Sequence, residues 1–150
     1  MTDYQKADIN DFLGVAALDR TAWLANRHAE FIPDGEHAWR HWVEHSLVFV
    51  AKTKHEILGA ILAFPCQSGA WCVHKVFVSQ DKRGHGIGSQ LFGILLKEID
   101  KIPADCFLTV DPVNEAALKL YEKWGFTEKE FVPGYYRPHE DRFVLTRRAI

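Results

Sequence analysis

No apolar run in this chain approaches the roughly 18 residues that a membrane-spanning helix needs. Charge of one sign is lacking too. The net charge of −2 provides neither the basic stripe that holds nucleic acid nor a polybasic face for an anionic membrane. Cysteine is sparse: Cys66, Cys72 and Cys106 are an odd number without metal-ligand spacing, as expected of reduced, structural thiols in a cytoplasmic protein. His37, His41 and His45 recur every four residues, but no acidic or thiol cluster completes them, so no metal is expected. The opening MTDYQKADIN is polar and acidic, which excludes a signal peptide as the expectation. Internal repeats, low-complexity tracts and linkers are absent from the sequence.

What is present is a core. Of 150 residues, 47% are hydrophobic and 25% charged, which suits one soluble domain over residues 1–150. The pattern predicts a short strand at Tyr4–Ala7 and a helix capped by Asp8 and running to about Arg20. Thr21–Phe31 extends that helix or forms a second one. Pro33-Asp34-Gly35 breaks the chain, and a helix follows from Glu36 to His45 with Trp39, Trp42 and Val43 on one side. Leu47–Lys52 and Ile57–Phe64 read as an antiparallel hairpin, and Trp71–Val78 as a third strand. A glycine-broken loop then leads into a helix over Ile87–Lys101. Cys106–Val110 is a buried strand, so a strand–helix–strand unit adds parallel pairing to the meander. A helix capped by Asn114, a strand over Phe126–Val132 and a last strand over Arg142–Arg147 complete the order.

The loop carries the first chemical signal. Arg83-Gly84-His85-Gly86-Ile87-Gly88 holds three glycines in five residues. Without Cβ atoms the backbone N–H groups can converge on one concavity, and a ligand can come close. The helix start behind the loop adds unpaired donors and the positive end of its dipole, which suits a phosphate or pyrophosphate. Arg83 stands before the loop to meet an anion. A P-loop would need Gly-Lys-Ser/Thr, and a dinucleotide fingerprint a glycine where Leu91 stands. The alternative is a strand-to-helix turn with no ligand.

Arg83, Gly86 and Gly88 match Gln/Arg-x-x-Gly-x-Gly/Ala, the acyl-CoA pyrophosphate signature of the GCN5-related N-acetyltransferase (GNAT) family, which this loop resembles. A second stretch, Asp111 to Ala117 followed by Leu120-Tyr121-Glu122-Lys123-Trp124-Gly125-Phe126, is similar to the same family's Asn-x-x-Ala-x-x-x-Tyr-x-x-x-Gly-Phe frame. The tail GYYRPHEDRFVL resembles the branch of ribosomal-protein alanine N-acetyltransferases.

The resemblance implies an α/β fold: a mixed, mostly antiparallel twisted sheet of six to seven strands with helices on both faces. It implies acetyl-CoA as acyl donor, held between Val76–Val78 and Cys106–Val110. Backbone groups of Phe77 and Val78 would bind the pantetheine arm. Arg83 and the amides of Gly84, His85, Gly86, Ile87, Gly88 and Ser89 would bind the pyrophosphate. Asn114 would bond the cofactor arm, and Tyr121 would lie near the thioester sulfur as general acid. Periodicity alone also places Tyr121 on a core face beside Leu120 and Trp124.

The general base is open. Relatives often carry a glutamate where this chain has Thr109, which cannot take a proton at neutral pH. His74, on a strand face with Cys72 and Val76, has a suitable reference pKa of about 6.5. It reads equally as a packed or rim histidine. Glu140 and Asp141 are an alternative through water, or form a solvated loop that attracts a cationic acceptor. Tyr136, Glu140 and Asp141 are the candidate acceptor contacts. Deprotonating a lysine amine at pH 7 costs roughly 4–5 kcal/mol, against about 1–1.4 for an α-amine. A site without a strong carboxylate base therefore suits an α-amine slightly better, so the expected acceptor is a primary amine, a protein N-terminus or a small amine ahead of lysine. The expected partners are acetyl-CoA and that amine, with neither nucleic acid nor membrane, in a monomer or homodimer. A non-catalytic acyl-CoA sensor and a nucleotide-binding module that shares only the anion loop are the rival functions.

Overall fold

Asp8 and Asp11 together set how the chain passes from its first strand into its first helix. In the computed structural model, which describes residues 1–25 and 33–150, strand β1 spans Asp3–Lys6 and helix α1 spans Phe12–Ala25. The cap expected at Asp8 lies at Asp11 instead, whose carbonyl accepts the first helical bond from Val15 N–H at 3.0 Å. The Asp8 carboxylate accepts from Asn10 N–H at 2.8 Å, and Asp11 Oδ2 accepts from Asp8 N–H at 2.9 Å. An aspartate that bonds the backbone two residues on makes a turn rather than a helix start, so the helix begins three residues late. It continues through Thr21; the expectation for its far end, up to Phe31, falls partly outside the described residues.

The remaining elements follow the expected order: α2 (Glu36–His45), β2 (Leu47–Lys52), β3 (Ile57–Pro65), β4 (Trp71–Val78), α3 (Ile87–Lys101), β5 (Cys106–Val110), α4 (Glu115–Lys123), β6 (Glu128–Val132) and β7 (Arg142–Arg147). β6 starts two residues late. Gly125, at φ 98°, ends α4 in the left-handed region, and Phe126 N–H donates back to Tyr121 C=O at 3.1 Å, which delays the strand. The sheet has seven strands in the order β1-β2-β3-β4-β5-β7-β6. The β1–β2, β2–β3, β5–β7 and β6–β7 pairs are antiparallel and β4–β5 is parallel. The fold is therefore the mixed, mostly antiparallel α/β sheet expected.

The chain divides into two compact units. The first comprises Met1–Phe64 and Lys75–Glu98. Its core gathers Val15 and Ala16 of α1, Trp39 and Val43 of α2, Val48 and Val50 of β2, and Ala60 and Leu62 of β3. Trp39 is fully buried and meets Phe77 edge-on at 5.8 Å. Gly59 is needed for close approach: a Cβ there would lie 3.0 Å from Phe77 O and 3.2 Å from Ile87 Cγ2. A charge cluster around the buried Asp19 carboxylate lies beside this core, with Lys75 and Asp34 partly exposed. Asp19 Oδ2 accepts from Trp39 Nε1 at 3.1 Å and from Asp34 N–H at 3.3 Å. Lys75 Nζ reaches Asp19 Oδ2 at 2.7 Å and Asp34 Oδ2 at 2.8 Å. Burying the Asp19 carboxylate is tolerable because it has a cation and two N–H donors as partners.

The second unit comprises Pro65–His74 and Ile99–Ile150. β5 alternates as a half-covered strand should: Cys106, Leu108 and Val110 are buried, while Phe107 and Thr109 on the other face are partly open. The parallel ladder to β4 consists of two pairs, Trp71–Cys106 and Cys72–Phe107. On its other edge β5 pairs with β7 along its full length, from Cys106–Arg147 to Val110–Phe143. Arg147 ties three elements together, donating from Nη1 and Nη2 to Asp100 at 2.7 and 3.1 Å and from Nε to Trp124 C=O at 3.1 Å. α4 covers less than its apolar spacing suggests: none of its residues is fully buried, and Leu120 is 43% exposed. Among the described residues, no helix is long and apolar enough to cross a membrane.

Candidate active site

In the first unit, the end of β4 and the start of α3 frame the glycine loop. Ser79 N–H donates to Leu58 C=O at 2.7 Å, and a single 3-10 turn over Gln80–Lys82 swings the chain out. Gly84 and Gly86 then take φ of 82° and 79°, conformations that L side chains resist. A Cβ at either would meet nothing within 4 Å, so the space in front of this backbone is open. Gly88 differs from the other two. It is the second residue of α3, has an ordinary helical φ, and a Cβ there would make only a 3.8 Å contact with Val78 Cγ2. Gln90 N–H donates to Gly86 C=O at 3.1 Å. The amides of Ile87, Gly88 and Ser89 precede it in the first turn, where a helix has no acceptor of its own. Two left-handed glycines beside open space and a helix start whose first amides have no helical acceptor are the ingredients of an anion cradle.

The cationic side chains flank that surface. Arg83 is exposed and its Nε donates to Val78 C=O at 3.4 Å, which leaves the guanidinium Nη groups for an anion. His85 donates from Nδ1 to Lys82 C=O at 3.2 Å.

In the second unit lie the candidates for proton transfer and acceptor contact. Asn114 caps α4 by accepting from Ala117 N–H at 3.1 Å through Oδ1, so contact with a ligand falls to its Nδ2 donors. Tyr121 is half-buried on α4, edge-on to Phe126 at 6.3 Å. Burial raises its phenol above the usual tyrosine range, which keeps the proton on it at neutral pH. His74 is exposed on β4, and its neighbour Cys72 is pushed by burial to about 12, so that thiol is no nucleophile.

The loop between β6 and β7 is braced by the acids that the sequence offers as acceptor contacts. Asp141 Oδ1 accepts from Gly134 N–H at 2.9 Å. Glu140 pairs with Arg137 and lies 3.6 Å from Arg142 Nη2, so two guanidinium groups share its charge. Tyr136 is 47% exposed, yet its hydroxyl lies 3.0 Å from Thr109 Oγ1 on β5 and Arg142 Cζ sits 5.1 Å from its ring centroid. Sequence reasoning missed this Thr109–Tyr136 contact and the Lys75 cluster. Lys75, a lone cation inside an apolar strand, was the available signal for the second; spacing held none for the first.

The site side of the seven-stranded mixed sheet is a strand–glycine loop–helix unit with open space before its backbone. Residues 14–126 match the acetyltransferase (GNAT) family, and the chain belongs to it. An uncharacterized N-acetyltransferase of Methanocaldococcus jannaschii is 36% identical over 66 residues, which is 43% of this chain and 29% of that protein. The chain is similar in structure to the ribosomal-protein alanine N-acetyltransferase of Escherichia coli, with a TM-score of 0.78, 20% identity, and coverage of 98% of this chain and 93% of that one. It is also similar to Naa50 of Arabidopsis thaliana in complex with the bisubstrate analogue CoA-Ac-MVNAL, with a TM-score of 0.75, 21% identity and 97% coverage of both chains.

Proposed function

We propose that this chain is an N-acetyltransferase that moves an acetyl group from acetyl-CoA to a primary amine, a protein N-terminus or a small amine, by direct attack in a ternary complex. The observation that carries the reading is the pair of left-handed glycines, Gly84 and Gly86, opening onto free space at the start of α3. Family membership supports it, as does the Arabidopsis neighbour, whose bisubstrate analogue joins CoA through an acetyl group to MVNAL.

In this reading Phe77 and Val78 bind the pantetheine arm through their backbone. Arg83 and the amides from Gly84 to Ser89, His85 and Ile87 included, hold the pyrophosphate, and Asn114 donates to the arm. The amine attacks the thioester carbon, a C–N bond replaces the C–S bond, and the charge that gathers on the carbonyl oxygen is met by a backbone N–H near Val78. Tyr121 gives its phenolic proton to the departing sulfur. The proton lost by the amine passes to His74 and on to solvent, from which Tyr121 is recharged. Tyr136 meets the acceptor. Glu140 and Asp141 serve the acceptor by fixing the loop that carries Tyr136, since their carboxylates are engaged there. Thr109 cannot act as a base, so the acceptor that suits the site is the amine that is cheapest to deprotonate, an α-amine.

The experiment is free-thiol release from acetyl-CoA with a panel of amines: peptides with free N-termini, N-blocked peptides bearing lysine, and small amines. Turnover with the free N-termini ahead of the lysine peptides is expected. Binding of acetyl-CoA with no thiol release for any amine would favour the sensor, and indifference to millimolar coenzyme A would remove both readings.

A further inference from the structure

Thr109 lies on β5, and its hydroxyl is engaged in a contact with another element. Its side chain lies on the partly open face of β5, alternating with buried Leu108 and Val110. Its Oγ1 is 3.0 Å from the Tyr136 hydroxyl, and the two residues are 27 positions apart, so this is a tertiary contact rather than a turn. Tyr136 is held from two more directions. The Arg142 guanidinium lies over its ring at 5.1 Å, and the Tyr135 ring meets it edge-on at 4.7 Å. The loop beneath is held by Asp141 on Gly134 N–H, by Tyr135 N–H donating to Glu140 C=O at 2.9 Å, and by Glu140 on Arg137.

Tyr136 is 47% exposed, so it is restrained on three sides while still open to solvent. Such restraint makes sense where a hydroxyl must be preorganised for a partner from solution. Because Thr109 Oγ1 can accept the phenolic hydrogen or donate to the phenolic oxygen, it sets which way the Tyr136 hydroxyl faces.

We propose that Thr109 is a positioning residue for the acceptor: it orients the Tyr136 hydroxyl so that this group reads a hydrogen-bonding function beside the acceptor amine. The inference rests on the transferase reading above. Its consequence is selectivity, since an α-amino amide offers such a function and a plain alkylamine of the same length does not. A site that hydrogen-bonds its substrate discriminates against the analogue lacking that group.

The test compares Thr109→Val, which keeps shape and loses the hydroxyl, with Thr109→Ser, which keeps the hydroxyl, and with Tyr136→Phe and the Thr109→Val/Tyr136→Phe double variant. Thr109→Val is expected to raise the KM for an α-amino amide about tenfold while the KM for acetyl-CoA, the kcat at saturating acceptor and the KM for the matched alkylamine stay within twofold. Thr109→Ser should recover most of the loss, and the double variant should be no worse than Tyr136→Phe, because the two hydroxyls act as one unit. Equal losses for amide and alkylamine, or additive losses in the double variant, overturn the assignment. Wild-type transfer with Thr109→Val unaltered overturns it alone. Wild-type protein that takes up acetyl-CoA and acetylates nothing overturns the transferase reading and this assignment with it.

Discussion

Lys75 and Asp19 meet at two points, Nζ lying 3.0 Å from Oδ1 and 2.7 Å from Oδ2. The Asp19 side chain is only 7% exposed, and Trp39 Nε1 and Asp34 N–H donate to the same carboxylate. Removing the cation alone leaves a buried carboxylate with neutral donors only. Lys75→Met should therefore destabilise the protein by about 3 kcal/mol, as expected when one partner of a buried pair is deleted. Urea denaturation of the wild type and the variant measures it. A loss below about 1 kcal/mol, the range of surface ion pairs, would show that water reaches this carboxylate freely.

The glycine loop separates strain from function. Gly86→Val forces a β-branched residue to φ 79°, at about 1–2 kcal/mol, and puts its methyl groups where an anion would approach. Gly69→Val imposes similar strain at φ 93° in the turn before β4, also facing open space. Both variants should fold with slightly lowered Tm. Isothermal titration should show acetyl-CoA affinity reduced more than tenfold in Gly86→Val and unchanged in Gly69→Val. Equal affinities would remove the loop from cofactor binding.

Tyr121→Phe keeps the ring contact with Phe126 and removes only the hydroxyl. If that hydroxyl protonates the leaving sulfur, kcat should fall by about 10²-fold with Tm within a degree or two of the wild type. Because burial raises the Tyr121 phenol, the alkaline limb of the wild-type kcat profile should lie above the range of an ordinary tyrosine. Activity within threefold of the wild type would assign Tyr121 to packing.

Local signals made most of the fold legible. Alternation marked β5, i to i+4 spacing and Asn114 marked α4, and Pro33-Asp34-Gly35 marked the break before α2. The boundaries moved where side chains competed with the backbone, as at Asp8 against Asp11, or where a helix end reached past its glycine, as at Phe126. Gly84 and Gly86 were legible because a left-handed φ leaves a trace in residue choice, while Gly88, on the same pattern, is an ordinary helical residue. What stayed hidden are contacts set by tertiary approach. Nothing in the spacing of Thr109 and Tyr136 tells that their hydroxyls meet, nor that Glu140 and Asp141 turn inward to hold their own loop.

Alkaline stability follows from two thiols, buried Cys106 and partly buried Cys72. Burial pushes Cys72 up from the free-thiol range to about 12 and Cys106 to about 11. Both folded-state values are raised, so in the unfolded chain these thiols ionise first. The protein then keeps its full stability below about pH 8.5, the reference range of a free thiol, and loses it as pH climbs toward the folded values. Tyr121, raised by the same cause, adds to the loss at higher pH. Tm measured from pH 7 to pH 11 should fall steeply above pH 9 in the wild type. Cys72→Ala should start lower at pH 7, through the small cavity it leaves, and fall less steeply beyond pH 9. Parallel curves for the two proteins would mean that Cys72 ionises in the folded state as readily as in the open chain, and that water already reaches its sulfur.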